Sequence, residues 1–128
     1  MTRAHGILNP DLAAGLARLG HGHLVVVADY GLPLPREADV VDLTLVHGVP
    51  RFTQVLDALL AEIAVEGSVA AAETSGTDVE TWLRERGLTP DLLPHDDLKA
   101  LLPQARLVVR TGEATPYANV VLRCGVPF

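Results

Sequence analysis

Apolar positions along this chain alternate between two periods. Behind Asn9-Pro10-Asp11, Leu12, Leu16 and Leu19 recur at helical spacing. Asn9 can cap such a helix, Pro10 suits its first position, Asp11 faces the positive end of its dipole, and Gly20 is expected to close it. Leu24-Val25-Val26-Val27-Ala28 is an unbroken, β-branched run, the pattern of a strand buried on both faces, with Asp29 at its C-terminal end. After the punctuated stretch Gly31, Pro33, Pro35, the segment Val40 to Val46 reads as a second strand interrupted by Asp42. His47-Gly48-Val49-Pro50 then turns into a helix whose apolar stripe is Phe52, Val55, Leu56, Leu59, Leu60 and Ile63.

The second half continues the alternation. Gly67 to Ala72 reads as a strand, Ser75-Gly76-Thr77 as a break, and Asp78 to Arg86 as a helix capped by Thr77 or Asp78 and ending at Gly87. Pro90 and Pro94 frame a loop, Asp96 to Leu102 is a short helix, Leu107 to Val109 a strand, Thr111 to Pro116 a loop, and Val120 to Leu122 a last strand. Strands alternating with helices predict an α/β fold, and 128 residues fit one domain over 1–128.

Composition narrows the partners. Aromatics are 4% of the chain, so Leu, Val and Ala must build the core, and stacking platforms for single-stranded nucleic acid are scarce. The net charge of −6, with Lys and Arg scattered, argues against nucleic acid and anionic membrane as partners. Cys124 is the lone cysteine, which excludes an intrachain disulfide and suits a reducing compartment. Met1 to Gly6 has no apolar leader core, and no apolar run approaches the ~20 residues that cross a bilayer; the expected location is the cytoplasm.

Open α/β sheets bind ligands beyond the carboxyl ends of their strands. His21, Asp29, His95 and the loop from Gly112 to Asn119 are the polar features expected at such ends or in adjoining loops. Each also has a structural reading. His21 follows a helix C-terminus, where an imidazolium is favoured, and Asp29 suits a turn after a strand. His95 stands at a helix start, and Tyr117-Ala118-Asn119 fits a turn entering a strand. His5 reads as solvated, His47 as a loop residue and Cys124 as a small buried hydrophobe. His21, His23, Asp29, His47 and His95 are of metal-ligand type, but no dense metal motif joins them, and no metal site is expected. Neither a nucleophile elbow nor a glycine-rich phosphate loop is present.

Six stretches are recognisable together: Gly6-Ile7-Leu8-Asn9-Pro10-Asp11-Leu12, Leu19 to His23, Asp29-Tyr30-Gly31-Leu32-Pro33-Leu34-Pro35, Gly48-Val49-Pro50, Gly112 to Asn119, and Cys124-Gly125-Val126-Pro127-Phe128. In these, over nearly its whole length, the chain resembles the D-ribose pyranase family. The related fucose mutarotases share the Gly-His and Gly-Glu…Tyr…Asn elements but usually lack a segment like Gly31 to Pro35. The resemblance implies a three-layer α/β/α sandwich with a central, mostly parallel or mixed sheet. It also implies a cytoplasmic, ring-shaped homo-oligomer with active sites between neighbouring subunits, and interconversion of β-D-ribopyranose and β-D-ribofuranose without a cofactor. Carried onto matching positions, it makes His21 the proton donor and Asp29, His95, Tyr117 and Asn119 sugar ligands, with Ala118 contributing its backbone.

Two departures stand out. His23 occupies a position where the family commonly has Asp, and the stretch from Ser75 to Pro94 is shorter than in many relatives. Ring opening only moves protons between oxygens, so one positioned acid/base is its minimum need, and a histidine near neutrality can give and take that proton. A fucose-type mutarotase, a non-catalytic sugar-binding module and, third, a metal-binding protein are the competing readings.

Overall fold

The run Leu24–Ala28 is the central strand of the molecule. In the computed structural model, which describes residues 6–128, the elements are α1 (Pro10–Ala17), β1 (Leu24–Ala28), β2 (Val40–Asp42), α2 (Phe52–Leu60), β3 (Val65–Ala71), α3 (Asp78–Glu85), β4 (Asp91–Leu93), α4 (His95–Leu101), β5 (Leu107–Arg110) and β6 (Val120–Cys124). Single 3₁₀ turns occur at Ala72–Thr74 and Leu102–Gln104. His5 lies outside the described residues.

The strands form one mixed sheet in the order β2-β5-β1-β6-β3-β4. β1, β2 and β5 are mutually parallel, β3 and β4 are parallel, and β6 is antiparallel to both β1 and β3. Five strands therefore point one way and β6 runs back between them, so the carboxyl ends of the five and the amino end of β6 share one edge of the sheet.

Period-two alternation sorts side chains onto the two faces. Val25, Val27, Leu107, Val109, Val120 and Leu122 join Leu12 of α1, Phe52, Val55, Leu56 and Leu59 of α2, and Val79 and Leu83 of α3. Val26, Ala28, Val108, Val121 and Ala71 pack on the other side against Leu98 and Leu102, under Leu32 and Leu34. The result is the α/β/α arrangement of layers, with two cores separated by the sheet.

Local chemistry explains where elements start and stop. The Asn9 side chain accepts the Leu12 N–H at 3.0 Å, capping α1 as expected. That helix ends at Ala17, short of Gly20, because the 20–23 segment forms a turn of its own. The strand read from Val40 to Val46 stops at Asp42, whose carboxylate takes the Thr44 N–H and the Arg110 guanidinium and diverts the backbone from the ladder. Beyond it, Val46 bridges Val49 around the tight turn His47-Gly48. Thr77 precedes α3, but its hydroxyl donates to the Thr74 carbonyl instead of capping the helix. Between Pro90 and Pro94 there is a short strand, β4, where a loop is expected; its position at the sheet edge tolerates flanking prolines. Among the described residues, no helix is long and apolar enough to cross a membrane.

The Val46–Val49 hairpin is locked onto the β5 end through Gly112, whose N–H donates to the Pro50 carbonyl at 2.8 Å and whose carbonyl accepts from Gly48 at 2.6 Å. A Cβ on Gly112 would overlap the Val49 backbone. Gly112→Ala is therefore expected to destabilise the fold by about 1–3 kcal/mol, read as a lower urea midpoint. An unchanged midpoint would mean the hairpin yields freely.

Candidate active site

At the edge where five carboxyl ends meet, Asp29 follows β1 directly. Its N–H donates to Asn119 Oδ1 at 2.8 Å, and Asn119 Nδ2 donates back to Asp29 Oδ2 at 3.2 Å. Asp29 Oδ1 accepts the Gly31 N–H at 3.1 Å. Burial pushes this carboxyl above the usual Asp value, opposed by the bonds from Gly31, Asn119 and Leu32 and by the nearby His95. Asn119 is fully buried, and with these two bonds to Asp29 it retains one amide hydrogen for anything else.

His95 begins α4, and its ring meets Tyr117 edge-on with centroids 5.1 Å apart. Glu73, from the turn after β3, accepts the His95 N–H. Nδ1 of His95 is buried without a hydrogen-bond partner among the described residues, so no protein group fixes the tautomer of this ring. Tyr117 has φ 63, a conformation that costs a bulky residue about 1–3 kcal/mol and is concentrated at functional sites. The Ala118 N–H is engaged by the Thr115 carbonyl, which leaves Ala118 its own carbonyl. Asp29, Tyr30, His95 and Tyr117 line an open cavity of about 410 Å³. These groups can bind a polyhydroxylated ligand through a carboxylate, an imidazole, a phenol and backbone carbonyls.

Side chains outside the set of candidate sugar ligands hold this cavity together. Arg110, at the end of β5, donates from Nη2 to the Tyr30 carbonyl at 2.8 Å and from Nη1 to Asp42 at 3.0 Å. Tyr30 in turn bonds His47 Nδ1 through its hydroxyl at 3.0 Å, so His47 is more than a loop residue. Glu113 is 4% exposed and accepts the first N–H of α2, from Phe52, at 3.1 Å, and the Thr115 hydroxyl at 2.9 Å. A charged residue following a buried strand is the signal that would have pointed to Arg110.

His21 is at the other end of the molecule. Gly20-His21-Gly22-His23 precedes β1, at its amino end, contrary to the expectation that His21 would join a carboxyl-end cluster. The His23 N–H donates to the Gly20 carbonyl at 3.1 Å, and Gly22 has φ 84, which together make a type II turn with His21 at its tip. His21 Nε2 lies 2.9 Å from Glu66 Oε2, and 61% of the imidazole is exposed. It edges a shallow cavity of about 260 Å³ bordered by Glu62, Cys124 and Val126. β1 alone sets its two ends about 13 Å apart, at ~3.3 Å per residue. Thus Asp29, His95, Tyr117, Ala118 and Asn119 come together, and His21 does not join them. The same separation keeps His21 and His23 from His47 and His95, and no three potential metal ligands converge among the described residues. A larger cavity, about 710 Å³ beside α3, has Glu80 and Arg84 as its charged residues, and they pair with each other at 3.0 Å.

The model of the RbsD / FucU transport protein family matches residues 2–127. The chain belongs to this family. It is 54% identical to the D-ribose pyranases of Cutibacterium acnes and Streptomyces avermitilis, in each case over 96% of this chain and 97% of the relative. The structure of Bacillus subtilis RbsD complexed with D-ribose superposes with a TM-score of 0.92 at 42% identity, covering 99% of this chain and 100% of that one. The fucose mutarotase of Streptococcus pneumoniae, solved with L-fucose, gives 0.81 at 25% identity over 98% and 100%. The six-stranded mixed sheet is thus the family's fold, and the resemblance in the sequence motifs is matched by the backbone.

Glu113 supplies a test of how the cavity is held. Burial would raise its carboxyl, but bonds from Phe52 and Thr115 and the charge of Arg51 outweigh this and hold it below the usual 4.5. A carboxyl depressed in the folded state stabilises above its unfolded value, and that stability is lost as pH falls through the folded value. Glu113→Gln should therefore cost about 1.5–3 kcal/mol at pH 7, and the difference from wild type should shrink below about pH 4.5. Urea titrations across that range would show it; a pH-independent difference would contradict this role.

Proposed function

We propose that this chain is a D-ribose pyranase, interconverting β-D-ribopyranose and β-D-ribofuranose in the cytoplasm as a homo-oligomer. His21 of one copy completes the Asp29 cavity of its neighbour. The observation that carries this reading is the separation just described: the candidate proton donor and the candidate sugar ligands stand at opposite ends of one buried strand. Association in which the amino edge of one sheet meets the carboxyl edge of another brings them within reach, and when repeated by rotation it closes into a ring. The exposed apolar residues at the two ends, Leu45, Val46 and Val49 at one and Val126 and Phe128 at the other, are consistent with such contacts.

In this reading His21 protonates the ring oxygen as its bond to the anomeric carbon breaks, and the anomeric hydroxyl passes its proton to water to leave the aldehyde. The other ring's hydroxyl then adds to the carbonyl, its proton returns to His21, and the carbonyl oxygen takes a proton back from water. No redox change occurs, and no cofactor is required. Asp29 holds sugar hydroxyls by charge-assisted hydrogen bonds. His95 and Tyr117 add donors and acceptors, Ala118 its backbone, and Asn119, buried beneath the cavity, acts on the sugar by keeping Asp29 in place. Ribose is favoured over fucose by the higher identity to the pyranases and by the Gly31 to Pro35 segment.

His21→Ala should fold and lose about 10²–10⁴-fold of the exchange between ribose ring forms, the usual contribution of a positioned acid/base. Saturation-transfer NMR on ribose, with fucose alongside, reads this directly; undiminished exchange would remove His21 from the mechanism. Asp29→Ala should also be inactive. Co-refolding equal amounts of the two variants should restore up to about a quarter of wild-type exchange, because a site shared between copies can draw each intact half from a different chain. Failure to regain activity in verified mixed oligomers would argue against a shared site.

A further inference from the structure

We infer that His23 is a positioning residue for His21, and that it makes the His21 turn sensitive to acid in a way a carboxylate at the same position would not. The inference rests on the proposed role of His21.

The turn is held at several points. Its backbone is fixed to the end of β6 by the Gly22 N–H on the Cys124 carbonyl at 2.8 Å and the Cys124 N–H on the His23 carbonyl at 2.9 Å. The segment Gly20-His21 is tied down differently. The Gly20 carbonyl accepts the His23 N–H, and the Gly20 N–H donates to the His23 imidazole at Nδ1, 2.8 Å away. His23 thus grips both sides of Gly20, the residue on which His21 is mounted. Its ring also packs against Gly20, where an added Cβ would lie 3.5 Å from His23 Cε1.

An imidazole accepts at Nδ1 only when that nitrogen carries no proton, so this contact requires a neutral ring protonated at Nε2. Protonation puts a hydrogen on Nδ1, facing the Gly20 N–H, and the grip is lost. Histidines ordinarily change charge between pH 5 and 8, whereas carboxylates remain acceptors down to about pH 4. The position commonly held by Asp in this family is filled here by a residue whose acceptor is removed by protonation. The titratable and charged groups on the elements packed around the turn are His21 itself, Arg18 after α1, Glu62 after α2, Glu66 of β3, Arg106 before β5, and Arg123 and Cys124 of β6. None of these differs between the variants compared below, so differences among the pH profiles report on position 23.

The test compares wild type, His23→Ala, His23→Asn and His23→Asp by saturation-transfer exchange of ribose from pH 5 to pH 8, each checked for its fold by circular dichroism. At pH 8, His23→Ala should turn over about three- to tenfold more slowly, the size of one lost hydrogen bond, while Asn and Asp, which also present an acceptor oxygen, should regain most of the rate. Towards pH 5 the wild type should fall more steeply than His23→Asn, which keeps a neutral acceptor throughout; added salt, which screens the charge of a protonated His23, should leave that difference in place. Equal rates for Ala and wild type at pH 8, or identical acid limbs for wild type and Asn, would overturn the inference. Should the Ala variant not fold, the Asn and Asp profiles still decide it. Absence of exchange in wild type would instead refute the pyranase reading.

Discussion

β1 is the constraint on which the molecule depends. It is hydrogen-bonded to β5 on one side and β6 on the other, and Val25 to Ala28 are fully buried between two helical layers. Breaking that strand would expose paired backbone groups and unpack both cores at once, so its length and straightness are fixed. Chemistry can then sit only at its ends. Both ends carry groups suited to it: a histidine turn precedes Leu24, and a carboxylate follows Ala28.

The antiparallel β6 links the two ends a second time. Its first residues follow Tyr117, Ala118 and Asn119, whose side chain locks onto Asp29; its last residue, Cys124, is bonded to the His21 turn. Each end is therefore framed by the same pair of strands. The carboxyl edge is further braced by buried or half-buried charges: Arg110 on the Tyr30 carbonyl, and Glu113 spanning the start of α2 and the loop to Tyr117. The amino edge relies on backbone bonds, the His23 contact and an exposed His21–Glu66 pair that contributes little by itself. This asymmetry fits a preformed ligand cavity at one end and, at the other, a projecting donor that a neighbouring copy would enclose.

Several elements were legible because their causes are local. Asn9 caps α1, the Phe52 to Leu59 stripe makes α2, and the valine run makes β1. Where the reading slipped, a distant partner decided. Asp42 ends β2 because Arg110, 68 residues away, draws its carboxylate aside. The short β4 exists because β3 offers an edge to pair with, and nothing within Asp91–Leu93 announces a strand.

The candidate site divides along the same line. By itself the sequence determined the residue types, their order and the family motifs, and so the kinship and the set Asp29, His95, Tyr117, Ala118 and Asn119 together with His21. Motifs are contiguous, and their chemistry travels with the residue names. Only the tertiary structure decided that His21 stands apart from the others, because strand direction and sheet order are properties of non-local pairing. It alone also assigned Glu113, Arg110 and His23 their partners, since a hydrogen bond depends on where two groups end up in space and not on how far apart they lie along the chain.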